Sequence, residues 1–272
     1  MKTIVAIRRA ERFSPNSADK DTAILQAVCE RLAQKGLDVK VEEEDLLLHH
    51  PDRMAAVEAD VYVTMGRHET TLRWLAERQQ QGAVVVNGPE GIRMCCHRKA
   101  LNQRLREAGI CLPPASGADG YWLKRADGVA EGPEDVVFAA DLSALGDQQA
   151  RMRKRGIMEW EVSAHMKGDL IKFYGVRKSG FFFTCYPGDD GQWKFDDERR
   201  NGLPRHYAFD RNGMHRMAEQ AAAVTGIDVY GGDCIISQSG QCFLIDFNDW
   251  PSFSRCRQEA AQAIVRRLND YI

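Results

Sequence analysis

Residues 231–253, GGDCIISQSGQCFLIDFNDWPSF, constrain the fold more than any other stretch, because their pattern predicts a β-hairpin with polar groups on one face. Two apolar runs flank a Ser-Gly turn signal. A turn centred between positions 239 and 240 places Asp233 directly opposite Asp246, with Cβ atoms about 4.5–5.5 Å apart. Asn248 lies two residues further on and projects from the same face as Asp246.

This polar face predicts a metal site. Two carboxylates that face each other across strands are destabilising unless a cation lies between them. Two carboxylates and an amide oxygen are hard ligands that suit Mg²⁺. The alternative is that Asp246 and Asn248 only end an edge strand and begin a turn, as Asx residues often do. An unpaired carboxylate after the apolar run 243–245 would be costly, so we favour Asp233, Asp246 and Asn248 as metal ligands.

The composition is ordinary for a globular protein, with 272 residues, 44% of them apolar and 28% charged. A formal net charge of −2 gives no overall field that favours nucleic acid or an anionic membrane. No apolar run could span a bilayer, and the first residues become charged too early for a signal peptide. The eight cysteines contain no CxxC pair. We therefore expect reduced thiols in a cytoplasmic protein.

Strand and helix patterns alternate over residues 1–88, which predicts a parallel α/β domain. Ligands of such folds gather at the carboxyl ends of the strands. The loop after the first strand carries Ser14, Asn16 and Ser17 before a helix N-terminus, where they could contact an anion or a substrate. An ordinary polar cap is the alternative for each of these residues.

The pattern changes from Pro89 onward. Residues 89–120 predict one helix that ends at Gly109, followed by an irregular linker. Residues 125–156 are rich in charge and glycine and show a single clear strand. Residues 186–206 predict a polar surface loop. Strands are predicted at Tyr121–Lys124, Val136–Phe138, Ile157–Val162 and Leu170–Tyr174.

No GxxxxGK[ST] loop is present, and no GxGxxG follows a strand, so a nucleotide site must use another architecture. Three lysines are candidates for phosphate contacts. Lys124 ends an apolar strand, and Lys172 shares a half-buried strand face with Leu170 and Tyr174. Such lysines need an anionic partner or a route to solvent. For Lys99, on the preceding helix, a solvated helix face is the favoured alternative.

Five stretches follow one another within residues 84–254: VNGPEGIRMCCHRKALNQRLREAGICLPP, YWLKRADG, IMEWEV, KGDLIKFYGV and GIDVYGGDCIISQSGQCFLIDFNDWPSF. In this order the chain resembles the ATP-grasp superfamily. The resemblance implies an N-terminal parallel α/β domain followed by an ATP-grasp fold of two α+β subdomains. ATP would lie between the subdomains, with Mg²⁺ bridging its phosphates. The implied units are an N-terminal domain, a linker with its helix, a lid subdomain and a C-terminal subdomain, at residues 1–88, 89–120, 121–163 and 164–272.

The resemblance also implies roles for individual residues. Lys99 and Lys124 match the two nucleotide-binding lysines of the family, and Lys172 matches a basic position on the strand after the hinge. The metal ligands of the family match the three residues of the hairpin face. The hinge whose backbone reads adenine matches Glu159, Trp160, Glu161 and Val162.

Two departures from the family pattern bear on function. Asp246 stands where most carboxylate–amine ligases of the family have a glutamate. Its surroundings, FLIDFNDWPSF, together with GDLIKFYGV, are closer to the inositol-phosphate kinase branch. The segment 125–140 lacks the long glycine-rich phosphate loop that many members carry.

The leading hypothesis is an ATP- and Mg²⁺-dependent ligase that joins a carboxylate to an amine through an acylphosphate. A cationic side chain is needed near that intermediate, and the candidates are Lys172, Arg177 and Arg205. The substrates would be a small-molecule or peptide carboxylate and an amine, without nucleic acid or membrane.

Two alternatives remain open. One is a kinase acting on a polyol or an inositol phosphate, which would want a denser basic pocket than this near-neutral chain suggests. The other is a nucleotide-binding module without turnover. Dimers are common among such enzymes, and a homodimer is left open.

Overall fold

The computed structural model describes residues 2–14, 17–128, 132–189 and 200–272. The candidate contact Asn16 and part of the predicted surface loop lie outside these residues. The described chain forms three β-sheets, of which the first is parallel and the other two are antiparallel. No helix in these ranges combines the length and the apolar composition that crossing a bilayer requires.

The first sheet has the strand order β2-β1-β3-β4 and lies within the segment that alternation predicted as α/β. Its apolar, β-branched strands are buried between helices, as parallel strands usually are. The strands are β1 Thr3–Arg8, β2 Asp38–Glu43, β3 Val61–Thr64 and β4 Val84–Val86. The helices are α1 Ala18–Gln34, α2 Glu44–His49, α3 Pro51–Ala56 and α4 Glu69–Gln80.

Strand order reverses between β1 and β3, which are adjacent in the sheet although β2 separates them in the sequence. In open α/β sheets, the carboxyl ends of strands at such a switch point form the usual ligand crevice. The segments that leave β1 and β3 here begin with Arg9 and Met65, and both face the C-terminal part of the chain.

The single helix predicted after Pro89 is wrong, because the structure contains two helices. Helix α5, Pro89–Cys96, ends at His97, whose backbone angles of −109° and +83° are not helical, and α6, Arg98–Glu107, begins there. No proline or glycine marks this break in the sequence. The break matters for function because α6 starts with Arg98.

The second sheet has the order β6-β5-β7 and is covered by a helix. Its strands are β5 Tyr121–Arg125, β6 Val136–Ala139 and β7 Trp160–Ala164, and the helix is α7, Leu142–Lys154. The sequence did not predict α7. Its N-cap signal is Asp141, whose side chain accepts a hydrogen bond from the Ala144 N–H at 2.8 Å.

The third sheet has the order β11-β10-β8-β9 and contains the predicted hairpin. Its strands are β8 Asp169–Val176, β9 Phe181–Cys185, β10 Val229–Ile236 and β11 Cys242–Asp249. Helix α8, Arg211–Thr225, packs on it, and helix α9, Arg257–Leu268, packs on α1 of the N-terminal part. All eight cysteines are free thiols in the structure.

Asn87, the residue after β4, fastens the N-terminal sheet to the third sheet. Its buried amide accepts hydrogen bonds from the N–H groups of Asp228 and Val229 at 2.9 and 2.7 Å, and it donates to the Val229 carbonyl at 2.8 Å. These backbone groups start β10. A buried side chain that satisfies three backbone groups fixes how the two sheets meet.

We expect Asn87→Ala to lower the free energy of unfolding by about 3 kcal/mol, because the buried N–H groups of Asp228 and Val229 lose their acceptor and the Val229 carbonyl keeps only the Trp250 N–H as a donor. Urea unfolding followed by circular dichroism measures this. The same substitution at Asn212, which is exposed on α8, serves as the control and should change the value by less than about 0.5 kcal/mol. Equal effects of the two substitutions would contradict the role of Asn87.

Candidate functional site

The hairpin face carries the carboxylates that the sequence predicted. Asp233 on β10 pairs with Asp246 on β11. Asn248 points to the same side, because its Nδ2 donates to Asp246 Oδ2 at 2.5 Å. The side chains of Asp233 and Asp246 are about a quarter exposed, at 25% and 27%. The two acids therefore share a partly buried, polar surface.

The register changes just beyond this pair, which the sequence did not predict. Cys234 pairs with Leu244 rather than Ile245, so Ile245 is the extra residue of a β-bulge. The Ile245 carbonyl accepts a hydrogen bond from Lys124 Nζ at 2.9 Å. Because Lys124 belongs to β5, the bulge joins the second sheet to the hairpin.

Three cationic side chains from three elements surround the two carboxylates. Arg98, at the start of α6, places Nη1 3.0 Å from Asp246 Oδ1. Lys172 on β8 places Nζ 3.1 Å from Asp233 Oδ1 and 3.2 Å from its Oδ2. Lys124 contributes its charge from β5. These cations compensate the repulsion that two facing carboxylates produce.

Burial and neighbouring charges shift the ionisation of this cluster. Burial acts to raise the pKa of Asp246, but the charges of Arg98 and Lys124 and a hydrogen bond from Asn248 bring it below the usual value. Burial, reinforced by the charge of Arg98, lowers the pKa of Lys124 to about 8, although Asp246 and Asp233 oppose this. The Lys124 ammonium therefore loses its proton more readily than that of an ordinary lysine, and added anionic charge in the site would stabilise the charged form.

Arg98, and not Lys99, reaches the carboxylates. Lys99 is exposed on the outer side of α6. Helical spacing could have shown this, because Arg98 is in line with the buried residues Leu101 and Leu105, three and seven positions later. The resemblance to the ATP-grasp superfamily had matched a nucleotide-binding lysine to Lys99, which is the next residue.

Three residues of the predicted hinge, Trp160, Glu161 and Val162, lie on β7, and Glu159 directly precedes it. Among the described strands, β7 pairs only with β5. The Ala126 N–H donates to the Glu159 carbonyl at 3.0 Å, so Glu159 and, by alternation, Glu161 direct their backbone groups toward β5. The backbone groups of Trp160 and Val162 then point to the opposite edge. Arg106 binds the Glu161 carboxylate at 2.7 Å.

The two arginines named as candidates are not brought into the cluster. Arg177 follows the far end of β8, about 17 Å along the strand from Lys172, and its Nε binds Asp228 at 2.9 Å. Arg205 is exposed, and its backbone N–H is bound by Asp169 at 2.7 Å. An arginine side chain is much shorter than this separation, so Arg177 does not reach Asp233, which lies opposite Lys172.

In the described part of the loop after β1, Ser14 is bound within the protein and Ser17 directly precedes α1. The Ser14 hydroxyl donates to Asp21 Oδ2 at 2.7 Å, and both side chains are buried. The Ser17 side chain makes no capping hydrogen bond to α1. The alternative stated for Ser14 is therefore the one that its geometry supports.

The donor set of the hairpin face fits Mg²⁺. Asp233, Asp246 and Asn248 offer carboxylate and amide oxygens on one side of two paired strands, and Mg²⁺ takes one or two protein carboxylates together with phosphate and water. Lys172 and Arg98 now contact the oxygens that such an ion would use. The cationic partners show that this face is built to hold positive charge.

We expect the unfolding free energy of the wild type to rise relative to that of Lys124→Met by about 1–3 kcal/mol between pH 8 and 10.5. The folded-state pKa of Lys124 lies below its unfolded value of 10.5, so in this window the unfolded chain binds more protons and stability increases with pH. Urea unfolding at several pH values measures the difference. Lys154→Met, on the exposed side of α7, is the control. Parallel curves for wild type and Lys124→Met would contradict the lowered pKa.

A scan against protein-family models gave no match, and a search of curated proteins found none similar. Solved structures do match along nearly the whole chain. The RimK domain protein ATP-grasp from Sphaerobacter thermophilus is 16% identical, with 97% of this chain and 98% of that chain covered and a TM-score of 0.65.

Two ligases match over similar lengths. The VanG D-Ala:D-Ser ligase from Enterococcus faecalis is 11% identical, with 100% and 99% of the two chains covered and a TM-score of 0.68. The D-alanine–D-alanine ligase from Bacillus anthracis, complexed with ATP, is 10% identical, with 100% and 96% covered and a TM-score of 0.64. The parallel sheet and the two antiparallel sheets of this protein match the fold of these ligases. The chain therefore has the ATP-grasp fold that the resemblance in its sequence implied.

Proposed function

We propose that the protein is an ATP- and Mg²⁺-dependent ligase that joins a carboxylate to an amine through an acylphosphate. The observation that carries this proposal is the Asp233–Asp246 pair, faced by cations from three separate elements. The fold supports it, since the solved structures of similar fold include D-alanine–D-alanine and D-Ala:D-Ser ligases.

The nucleotide would lie between the second and third sheets. The Trp160 carbonyl and the Val162 N–H point away from β5, so this acceptor and donor can pair with the edge of adenine. Lys124 would exchange the Ile245 carbonyl for a phosphate oxygen, which is a stronger acceptor. Arg98 is better placed than Lys99 to contact the phosphates, because it already lies beside Asp246.

Asp233, Asp246 and Asn248 would hold Mg²⁺, which supplies charge neutralisation for phosphoryl transfer when bound. Lys172 would then turn from Asp233 toward the substrate, since the metal replaces it as the partner of that carboxylate. Its side chain is 16% exposed, so the ammonium borders the open side of the cluster.

The chemistry has two steps. A substrate carboxylate oxygen bonds to the γ-phosphorus as the bond to the ADP oxygen breaks, which gives an acylphosphate and ADP. The amine then attacks the acyl carbon, phosphate leaves, and the amine loses a proton to give the amide. Lys124 and Arg98 stabilise the charge that develops in the first step, and Lys172 the oxyanion of the second. Arg205 stays a candidate for the second role, whereas Arg177 is held by Asp228.

A kinase that phosphorylates a hydroxyl is the second candidate, and one observation favours it. The sequence alone suggested too sparse a basic pocket for a phosphorylated substrate, but the structure adds Arg98 and Arg255 to the lysines. Arg255 hydrogen-bonds the Cys185 thiol and the Tyr186 carbonyl, the latter at 3.4 Å, and Cys185 pairs with Lys172 across β8 and β9.

We also propose that the chain divides into units at residues 1–88, 89–120, 121–163 and 164–272. The second sheet agrees with the third unit except that β7 ends at Ala164, one residue past its boundary. We further propose that the protein acts in the cytoplasm. A homodimer is compatible with this reading. Its substrates are small-molecule or peptide acids and amines.

Asp246→Asn should weaken Mg²⁺-dependent ATP binding and abolish turnover, because the substitution removes the charge of a metal ligand and leaves Arg98 without its carboxylate. Calorimetric titration with ATP, with and without Mg²⁺, measures the binding. Asp147→Asn, on the exposed side of α7, is the matched control and should behave like the wild type. Full activity of Asp246→Asn would overturn the metal assignment.

The decisive test of the reaction is ATP consumption with Mg²⁺ over a pool of amino acids, peptides and polyols, with hydroxylamine as a nucleophilic trap. A ligase is expected to release ADP and phosphate and to convert the acid into a hydroxamate, which identifies that acid. A phosphorylated product without hydroxamate would favour the kinase instead. Nucleotide binding without ADP formation across the pool would favour the module without turnover.

A further inference from the structure

A buried carboxylate links the hairpin to the N-terminal sheet. Asp249, the last residue of β11, is fully buried and lies three positions after Asp246. Arg67 binds both oxygens of this carboxylate, with Nη2 2.6 Å from Oδ1 and Nε 3.2 Å from Oδ2, and we call this contact the clamp. Arg67 Nη2 also donates to the Asp249 carbonyl at 3.3 Å. Such a planar, two-bond contact fixes direction as well as distance.

A second arginine, Arg9, completes the clamp. Its Nη2 lies 3.6 Å from Asp249 Oδ2, and it donates to the Trp250 carbonyl at 2.9 Å. Nη1 binds Asp21 at 3.1 Å, and Nε donates to the Met65 carbonyl at 3.2 Å. All three nitrogens of the Arg9 guanidinium thus contact protein groups. The two arginines therefore connect parts of the protein and do not form an open anion-binding site.

The clamp lies where a parallel α/β sheet usually binds ligands. Arg9 directly follows β1, and Arg67 belongs to the segment that follows β3, so both come from the carboxyl ends of strands at the switch point. This place is filled by β11 of the third sheet. The carboxyl ends of β1 and β3, where such a sheet usually binds ligands, therefore face the strand that carries Asp246 and Asn248.

The backbone just after Asp249 is strained. Trp250 has a φ of +37° and Phe253 a φ of +48°, in a region that bulky side chains rarely adopt. Both side chains are fully buried, and the Trp250 N–H donates to the Val229 carbonyl at 3.0 Å. Strain of this kind persists only where the surroundings hold the chain firmly.

We propose that Asp249, Arg67 and Arg9 are positioning residues that set the metal-binding end of β11. In the described sheet, β11 is an edge strand, held by β10 on one side. Before Asp246, β11 is held by the hydrogen bond from Lys124 to the Ile245 carbonyl. After Asn248, it is held by the contact of Arg67 with Asp249. The metal half of this inference rests on the proposed function, whereas the ordering of β11 does not.

The test uses the full chain with Arg67→Lys and Arg67→Gln. Lysine keeps the charge but loses the two-bond geometry, and glutamine loses both. Arg53→Lys is the matched control, because Arg53 binds Glu42 through two nitrogens on the exposed surface of the same domain. Arg9→Lys is the second variant, should Arg67→Gln fail to fold.

The first readout is hydrogen exchange in the unliganded protein. We expect peptides covering residues 246–250 to exchange at least tenfold faster in Arg67→Lys than in the wild type, with residues 260–268 unchanged. Unchanged exchange at 246–250 overturns the inference, whether or not the protein consumes ATP.

The second readout separates positioning from a merely structural contact. We expect the Mg²⁺ concentration for half-maximal ATP binding to rise at least tenfold in Arg67→Lys, and more in Arg67→Gln, with ATP affinity in EDTA within twofold of the wild type. Faster exchange with an unchanged Mg²⁺ requirement overturns the positioning role. A wild type without Mg²⁺-dependent ATP binding overturns the proposed function and the metal half of this inference together.

Discussion

Two carboxylates held face to face across a hairpin are the constraint on which the rest of this structure depends. Asp233 and Asp246 repel each other and are only a quarter exposed, so solvent screens that repulsion incompletely. Helix α6, strand β5 and strand β8 each deliver one cation to this face. The elements converge there because each cation would also be costly to bury without the acids. Under the proposed function, a metal ion and phosphates would bind here by replacing the present partners of these charged groups.

The two ends of the segment that carries Asp246 and Asn248 are fixed by different parts of the chain. The bulge at Ile245 meets Lys124 from the second sheet, and Asp249 meets Arg67 from the N-terminal domain. Asn87 adds a third joint where β10 begins. The site is therefore shared by all three sheets, which explains why its acids could be located within one segment but their partners could not.

What the sequence could predict was local. The predicted pairing of Asp233 with Asp246 is found, although the turn is centred on Ser239 and the bulge at Ile245 makes up the one-residue difference. Alternation identified the strands of the first sheet. The β-bulge was not predicted, because the apolar residues at the hairpin tip fit the pairing with the extra residue Ile245 as well as the pairing without it. Helix α7 was not predicted because its segment is rich in charged residues and glycine, although Asp141 is a good N-cap residue. Tertiary partners, such as Arg98 for Asp246 and Asp228 for Arg177, depend on packing that no single segment encodes.

Helix α9 packs on α1, so one apolar core contains Leu25 and Val28 together with Ala261 and Ile264. The polar contact between Arg31 and Gln258 spans 227 positions. At translation rates of about 5–20 residues per second, α1 leaves the ribosome roughly 10–45 s before the helix that covers it. During that interval the part of α1 that α9 later covers is exposed to water and to other chains. The core between the N-terminal sheet, α1 and α9 is therefore completed only when the chain is nearly finished.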